Sequence, residues 1–235
     1  MRPRSQIQPA GQMRALVAVG RGNPPRVPPA LVVVLRRTPL TLATIAAVTG
    51  VAAWSGALGG KTPWPTVERW GFDLQNLAHG RAYTLATMHL LVFDRTHCIV
   101  MVSLLALFMG PLEAGAGTRA AAEVFWISAV AGALVAAVCV ALPAYELGWR
   151  PHPDLIRQAD VGASIGVVGS LGALLVLAEA RFGRWIWLPR AVALTYLAGA
   201  LWHYRAVADV EHVAGFAIGS LVALRLGLRR PRPSP

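Results

Sequence analysis

The chain has 235 residues, 55% hydrophobic and only 14% charged, with a mean hydropathy of +0.52. A soluble domain carries about a quarter charged residues, so the composition excludes a soluble globule and indicates a polytopic membrane protein. The formal charge of +11 comes from 22 basic residues, of which only Lys61 is lysine; no basic stretch is interleaved with aromatics, which argues against nucleic acid and assigns the charge to cytoplasmic loops.

In chain order, Met1 to about Leu35 is rich in Arg, Pro and Gly. Its apolar pieces, "LVAV" and "ALVVVL", are too brief for the core of a signal peptide. Residues 1–37 are therefore expected to form a disordered cytoplasmic tail, in which Met13 offers a second start. A first span is expected from about Pro39 to Gly59, just after Arg36 and Arg37. The loop from Gly60 to Thr96 is rich in Trp and charge. Its semi-apolar stretch "AYTLATMHLLVF" is too short and polar to cross and is expected at the membrane interface, as are His89 and His203.

Five further apolar runs approach the ~20 residues that a helix needs to cross the hydrocarbon core. They are expected at His97 to about Ala116, Ala120 to Leu142, Val161 to Leu177, Trp185 to Trp202 and Val207 to Leu226. Residues 229–235 form a short basic tail. The expected fold class is an all-α, six-span membrane bundle over residues 38–228, with no internal repeat. Trp54, Trp64, Trp149 and Trp202 on one side, and Trp185 and Trp187 on the other, read as aromatic belts. Arg190 is expected to snorkel to lipid phosphates. Cys98 and Cys139 read as small hydrophobes, not as a disulfide.

Charge sets the orientation. With both termini cytoplasmic, 15 of the 22 basic residues lie inside, against only Glu113, Glu123 and Glu179 of the 11 acids. The positive-inside rule selects this topology, and the arginine, alanine and proline bias suggests a GC-rich bacterial genome. The expected location is thus a bacterial cytoplasmic membrane. Spans 2, 4 and 6 then all run from outside to inside, and each begins near a residue of catalytic type: His97, Ser164 and His212. At 1.5 Å per residue the three lie within roughly 5–10 Å of the outer surface. Polar groups sharing one depth in a membrane indicate a site.

The same helices are rich in glycine. Span 4 carries Gly162, Gly166, Gly169 and Gly172, and span 6 carries Gly215 and Gly219 directly after His212. Glycine costs a helix interior about 1 kcal/mol relative to alanine, but small residues spaced by four let two backbones approach closely in a membrane. A serine hydroxyl reaches an imidazole on another helix only across such a contact.

These residues resemble the rhomboid intramembrane serine proteases. "HVAGFAIG", His212 to Gly219, is similar to the HxxGxxxG of their last core helix, and "GAS", Gly162 to Ser164, to their GxSG nucleophile motif. "HCIVMVSLLALFMGPLE" resembles their second helix, which starts with a histidine and ends in a Gly-x-x-Glu turn, here His97, Gly110 and Glu113. The similarity covers about Trp70 to Leu226. It implies Ser164 as nucleophile, His212 as general base, and His97 with the Ser164 backbone N–H as oxyanion donors. It also implies single-pass membrane proteins as substrates, cut near the outer face, with no cofactor.

Three positions depart from the pattern. Ile165 follows the serine where the family has glycine, and Met101 stands in place of an asparagine donor. Gly80-Arg81-Ala82-Tyr83 occupies the place of a Trp-Arg pair. Asp209, three residues before His212, shares its helical face and is expected either to orient the imidazole or to cap the helix; Glu211 points about 100° away. Two other readings stay open. One is a catalytically weak or inactive relative that binds transmembrane segments. The other is a metal-dependent hydrolase using Asp94, His97, Asp209, Glu211 and His212, residue types that suit zinc but without HExxH spacing.

Overall fold

The structure is a computed structural model that describes residues 36–147, 159–203 and 207–228. The expected tails lie outside them, apart from Arg36 and Arg37, as do Trp149 and the side chains of Trp202 and His203. The described residues contain no β-strand, only two isolated bridges, Lys61 with Asp94 and Phe72 with Asp160. The six longest helices are α1 Pro39–Trp54, α2 Arg95–Ala116, α3 Thr118–Ala141, α4 Ser164–Phe182, α5 Trp187–His203 and α6 Val207–Arg225.

Three of them, α2, α3 and α4, are long and apolar enough to cross a membrane. α1 is apolar but has 16 residues, and α6 carries Asp209, Glu211 and Arg225 among its 19. Leu107, Ile127, Val138, Val192 and Leu221 are more than 40% exposed on α2, α3, α5 and α6. Apolar surface of this extent on helices of this length is that of an integral membrane protein.

Local chemistry sets the helix ends. α1 opens with proline, whose fixed φ suits the first turn; the N–H groups left over there need acceptors. Glu113, 1% exposed near the end of α2, supplies them. Its carboxylate accepts the Leu40 N–H at 2.9 Å, the Thr41 N–H at 2.8 Å and the Thr41 hydroxyl at 2.8 Å. The Thr118 hydroxyl, at the start of α3, also donates to it at 2.8 Å. A buried carboxylate is tolerable only with such donors, and here they tie three helices at one point. α2 starts two residues before His97, because Asp94 caps it by accepting the His97 N–H at 2.8 Å. Its Leu105–Met109 turn widens to π geometry just ahead of Pro111, which has no N–H to give.

α3 buries Ala121, Phe125, Ser128, Ala129, Gly132, Ala133 and Ala136. This stripe recurs every three or four residues and is mostly small, so α4 and α6 pack closely against it. Arg190 differs from its expected snorkelling role: its guanidinium donates to Glu179 at 3.0 Å, pairing α5 with α4. Cys98 and Cys139 are free thiols, the first buried and the second exposed.

The end of the loop ahead of α2 is buried within the protein. "AYTLATMHLLVF" does not lie at the periphery of the protein, because Met88, His89, Leu91 and Val92 are all 3% exposed or less. Met88 packs with Phe72, Ala133, Ala137 and Ile165, and Val92 with Val48, Ala52 and Cys98. The segment is too short to cross but apolar enough to fill the space between helix ends. Earlier in the loop, paired backbone bonds 3.0 and 2.8 Å long join Phe72 to Asp160. Arg81 braces the loop just ahead of the segment, donating to the Asn76 side-chain oxygen at 3.0 Å.

Candidate active site

Ser164 is the first residue of α4, three residues after the expected start. The delay is steric: Gly162 has φ +125°, which no right-handed helix admits and which L-residues rarely adopt. The turn is bolted in place by three bonds. The Gly162 N–H donates to the Met88 carbonyl at 2.8 Å. His89 Nδ1 donates to the Gly162 carbonyl at 3.2 Å, and the Val161 N–H to Asp160 Oδ1 at 2.9 Å. Ser164 is half-buried, and its N–H, in the first helical turn, finds no backbone acceptor outside its helix and none within it. A hydroxyl and a free N–H therefore share one edge.

His97 faces that edge. The Phe93 N–H donates to His97 Nδ1 at 3.2 Å, so Nδ1 is the acceptor and the ring hydrogen of the neutral imidazole sits on Nε2. The ring also stacks on Phe93, with centroids 5.5 Å apart. Nε2 lies 3.0 Å from where a Cβ on Gly162 would stand, and Met101 Sδ 3.7 Å from it. His97 thus presents an N–H donor to the turn that carries Ser164, while buried Met101 lines it with a thioether.

The helices behind are pressed together through glycine. A Cβ on Gly219 would be driven into the Gly169 carbonyl oxygen and lie 2.6 Å from the Gly169 Cα; one on Gly172 would meet the Phe216 carbonyl at 2.5 Å. Gly166 turns the other way, toward the Phe125 ring of α3 at 2.6 Å, so it packs α4 on α3 and not on α6. Ile165, fully buried, explains how a branched residue follows the serine. Its Cγ2 fills the space left by two glycines, 2.7 Å from a Cβ on Gly132 and 2.8 Å from one on Gly215. Gly132, in "AGALVAA", escaped the sequence reading because a small residue in an alanine-rich span carries no distinguishing signal.

At that contact α6 carries Asp209, Glu211 and His212. Among the described residues no direct hydrogen bond joins Ser164 to His212. Ile165 beside the serine and the Glu211 carbonyl beside the histidine nevertheless both reach Gly132. Catalytic hydrogen bonds are often long without substrate and tighten in the complex. Among the described residues, Asp160 and Asp209 are the acids whose charge bears on His212. Asp160 was not singled out from sequence; it stands four residues before Ser164 in "DVGAS", and that spacing was the available signal. Glu211 is the deepest acid of the group at 2% exposed.

His89, expected at the interface, is buried at 1% exposed with its ring edge against Phe125 and Trp126. Burial pushes its imidazole below the ordinary histidine value, outweighing the opposite effects of the Gly162 bond and Asp160. The unfolded chain therefore binds a proton there before the folded one does. This part of the stability is complete above pH ~6.5 and is lost as the pH falls from there toward the lowered native value. Melting in detergent between pH 8 and pH 5 should show a smaller acid loss in His89→Gln than in the wild type. A cavity of about 230 Å³ lies on the far side of His89, between Leu40, Ala43, Thr44, Ala47 and Phe125, away from Ser164.

No three His, Cys, Asp or Glu side chains among the described residues converge to hold a metal ion. The family model described as the Rhomboid domain matches residues 79–229. Neither a curated protein nor a solved structure matches the chain.

Proposed function

The chain belongs to the rhomboid family, and from that premise we propose that it is an intramembrane serine endopeptidase. It cuts transmembrane or juxtamembrane bonds of single-pass proteins near the outer face of a bacterial cytoplasmic membrane. Six spans, with both termini in the cytoplasm, frame the site. Ser164 attacks the scissile carbonyl and His212 takes its proton. The Ser164 N–H and His97 Nε2–H receive the developing oxyanion, and Asp209 lies in the first turn of the helix bearing the base. No cofactor is needed for this chemistry.

The observation that carries the reading is the start of α4. A glycine turn exposes a serine hydroxyl and its free N–H on one edge, and His97 Nε2 is aimed at that turn with its tautomer fixed by Phe93. A structural serine requires neither feature. Met101 favours a second reading, a relative that binds transmembrane segments without cutting them, since a thioether donates no hydrogen bond; losing one oxyanion donor costs ~2.7–4 kcal/mol.

Purified protein in mild detergent, treated with a fluorescent fluorophosphonate, separates the two. Labelling is expected in the wild type and should vanish in Ser164→Ala and in His212→Ala. An unlabelled wild type beside a reactive rhomboid control would select the binding protein.

A further inference from the structure

We propose that the cavity between α1 and α3 holds one acyl chain of an anionic phospholipid, and that this chain braces the start of α4 through His89 and Phe125. About 230 Å³ of space is bounded by α1 from Leu40 to Ala47, by His89 of the buried loop, and by Phe125 and Trp126 of α3. An engineered cavity of ~150 Å³ already admits benzene, so this one takes a run of methylenes but no headgroup. Its wall selects for hydrocarbon. Thr44 turns its hydroxyl back onto the Leu40 carbonyl at 2.9 Å. His89 donates from Nδ1 to Gly162 on its other side, and its Nε2 is buried. The remaining lining side chains are apolar, and a wall with so few hydrogen-bonding groups to offer favours an apolar guest.

The way in is from the side of the bundle. Ala43 and Ala47 are exposed, as is Trp126, on a protein whose exposed apolar surface belongs to a membrane. The alanines leave a slot for a chain, where a whole helix, ~10 Å across, does not enter. Length and charge identify the rest of the molecule. Counted from Pro39 at 1.5 Å per residue, Ala47 stands about 12 Å along α1, within the ~15 Å of one leaflet of the hydrocarbon core. Arg36 and Arg37 are exposed immediately before α1. A lipid whose phosphate meets these arginines has chain enough to run past Leu40 and fill the cavity as far as Ala47.

The two buried rings of the wall also carry α4. His89 Nδ1 holds the Gly162 carbonyl at 3.2 Å. The Phe125 ring packs on Gly166, 2.6 Å from where a Cβ would stand. Gly162 and Gly166 stand two residues to either side of Ser164. Side chains with no atoms behind them lose contacts and gain freedom; a chain packed behind His89 and Phe125 restores those contacts. It thereby limits the motion of the turn from which Ser164 starts its helix.

The test places the full-length protein in phosphatidylglycerol vesicles doped with the same lipid bearing a diazirine near the end of one chain. After irradiation, adducts on Ala43, Ala47 and Trp126 should outnumber severalfold those on Val192 and Leu221, which are exposed on α5 and α6. Ala47→Phe, whose ring takes the place of the chain, should lose that excess, and the smaller Ala43→Leu should reduce it. Even labelling of all exposed positions, or an excess unchanged in both variants, overturns the site. Arg36→Gln combined with Arg37→Gln should lower the adducts; no change overturns the headgroup contact. Loss of the adducts when palmitate is a minor component would give the cavity to a free fatty acid and overturn the phospholipid. The brace is read by amide hydrogen exchange in detergent. Added phosphatidylglycerol should slow exchange at Gly162 to Gly166 at least about threefold in the wild type and not in Ala47→Phe; an equal response in the two, or none in the wild type, overturns it. Neither readout requires catalysis, so a failure of fluorophosphonate labelling falls on the protease reading alone.

Discussion

Gly219→Ala is expected to destabilise the protein by at least ~3 kcal/mol, the upper end of ordinary overpacking. The reason is the identity of the clashing atoms. An added Cβ meets the oxygen, carbonyl carbon and Cα of Gly169, all backbone, so no rotamer change relieves it. α6 must move off α4, which also draws His212 away from Ser164. Melting of the purified protein should fall by roughly 10 °C, and labelling should fall further than the folded fraction does. Gly199→Ala is the matched control. Gly199 lies within α5 with nothing within 4 Å of an added Cβ, so the helix propensity of alanine should stabilise that variant by up to ~1 kcal/mol. Equal melting of the two variants would show that glycine on α6 serves flexibility and not contact.

That comparison also marks what the sequence made legible. Helices were readable because long apolar runs have few other solutions; the six long helices differ from the expected runs mainly at their ends, and three of them are long and apolar enough to cross a membrane. The ends were harder, being fixed by single side chains: Asp94 begins α2 early, and Gly162 delays α4 to Ser164. The glycines of α4 announced close packing, but which helix each one faces depends on rotation about the axis. That left Gly166 on Phe125 of α3 indistinguishable from Gly172 on Phe216 of α6.

The site divides in the same way. Ser164, His97 and His212 lie within the first turns of their helices, and counting along the chain was enough to expect them at one depth. His89, Asp160 and Glu211 depend on contacts between segments more than 50 residues apart, such as His89 with Gly162 across 73. Periodicity does not encode those. Glu211 in particular points about 100° away from His212 around the helix, and that rotation buries it to 2% exposure, with its carbonyl against Gly132 of α3.

Gly162→Ala should abolish most labelling, by a factor of about 10² to 10³, at a smaller cost in stability. Two effects coincide at this residue. Alanine at φ +125° costs of order 1–3 kcal/mol of backbone strain, and its Cβ would sit 3.0 Å from His97 Nε2 and 3.1 Å from Cε1. The bonds to Met88 and His89 hold the turn from both sides, so His97 has to yield. The ring then loses its aim at the oxyanion position while Ser164 and His212 stay in place. A double-mutant cycle separates this from general damage. His97→Ala removes the donor without straining the turn, and Gly162→Ala on that background should cost little further activity, because the group it displaces is already gone. Full additivity of the two losses would place the defect in the turn itself, in the direction of the Ser164 N–H. Wild-type labelling in Gly162→Ala would remove His97 from the oxyanion site altogether.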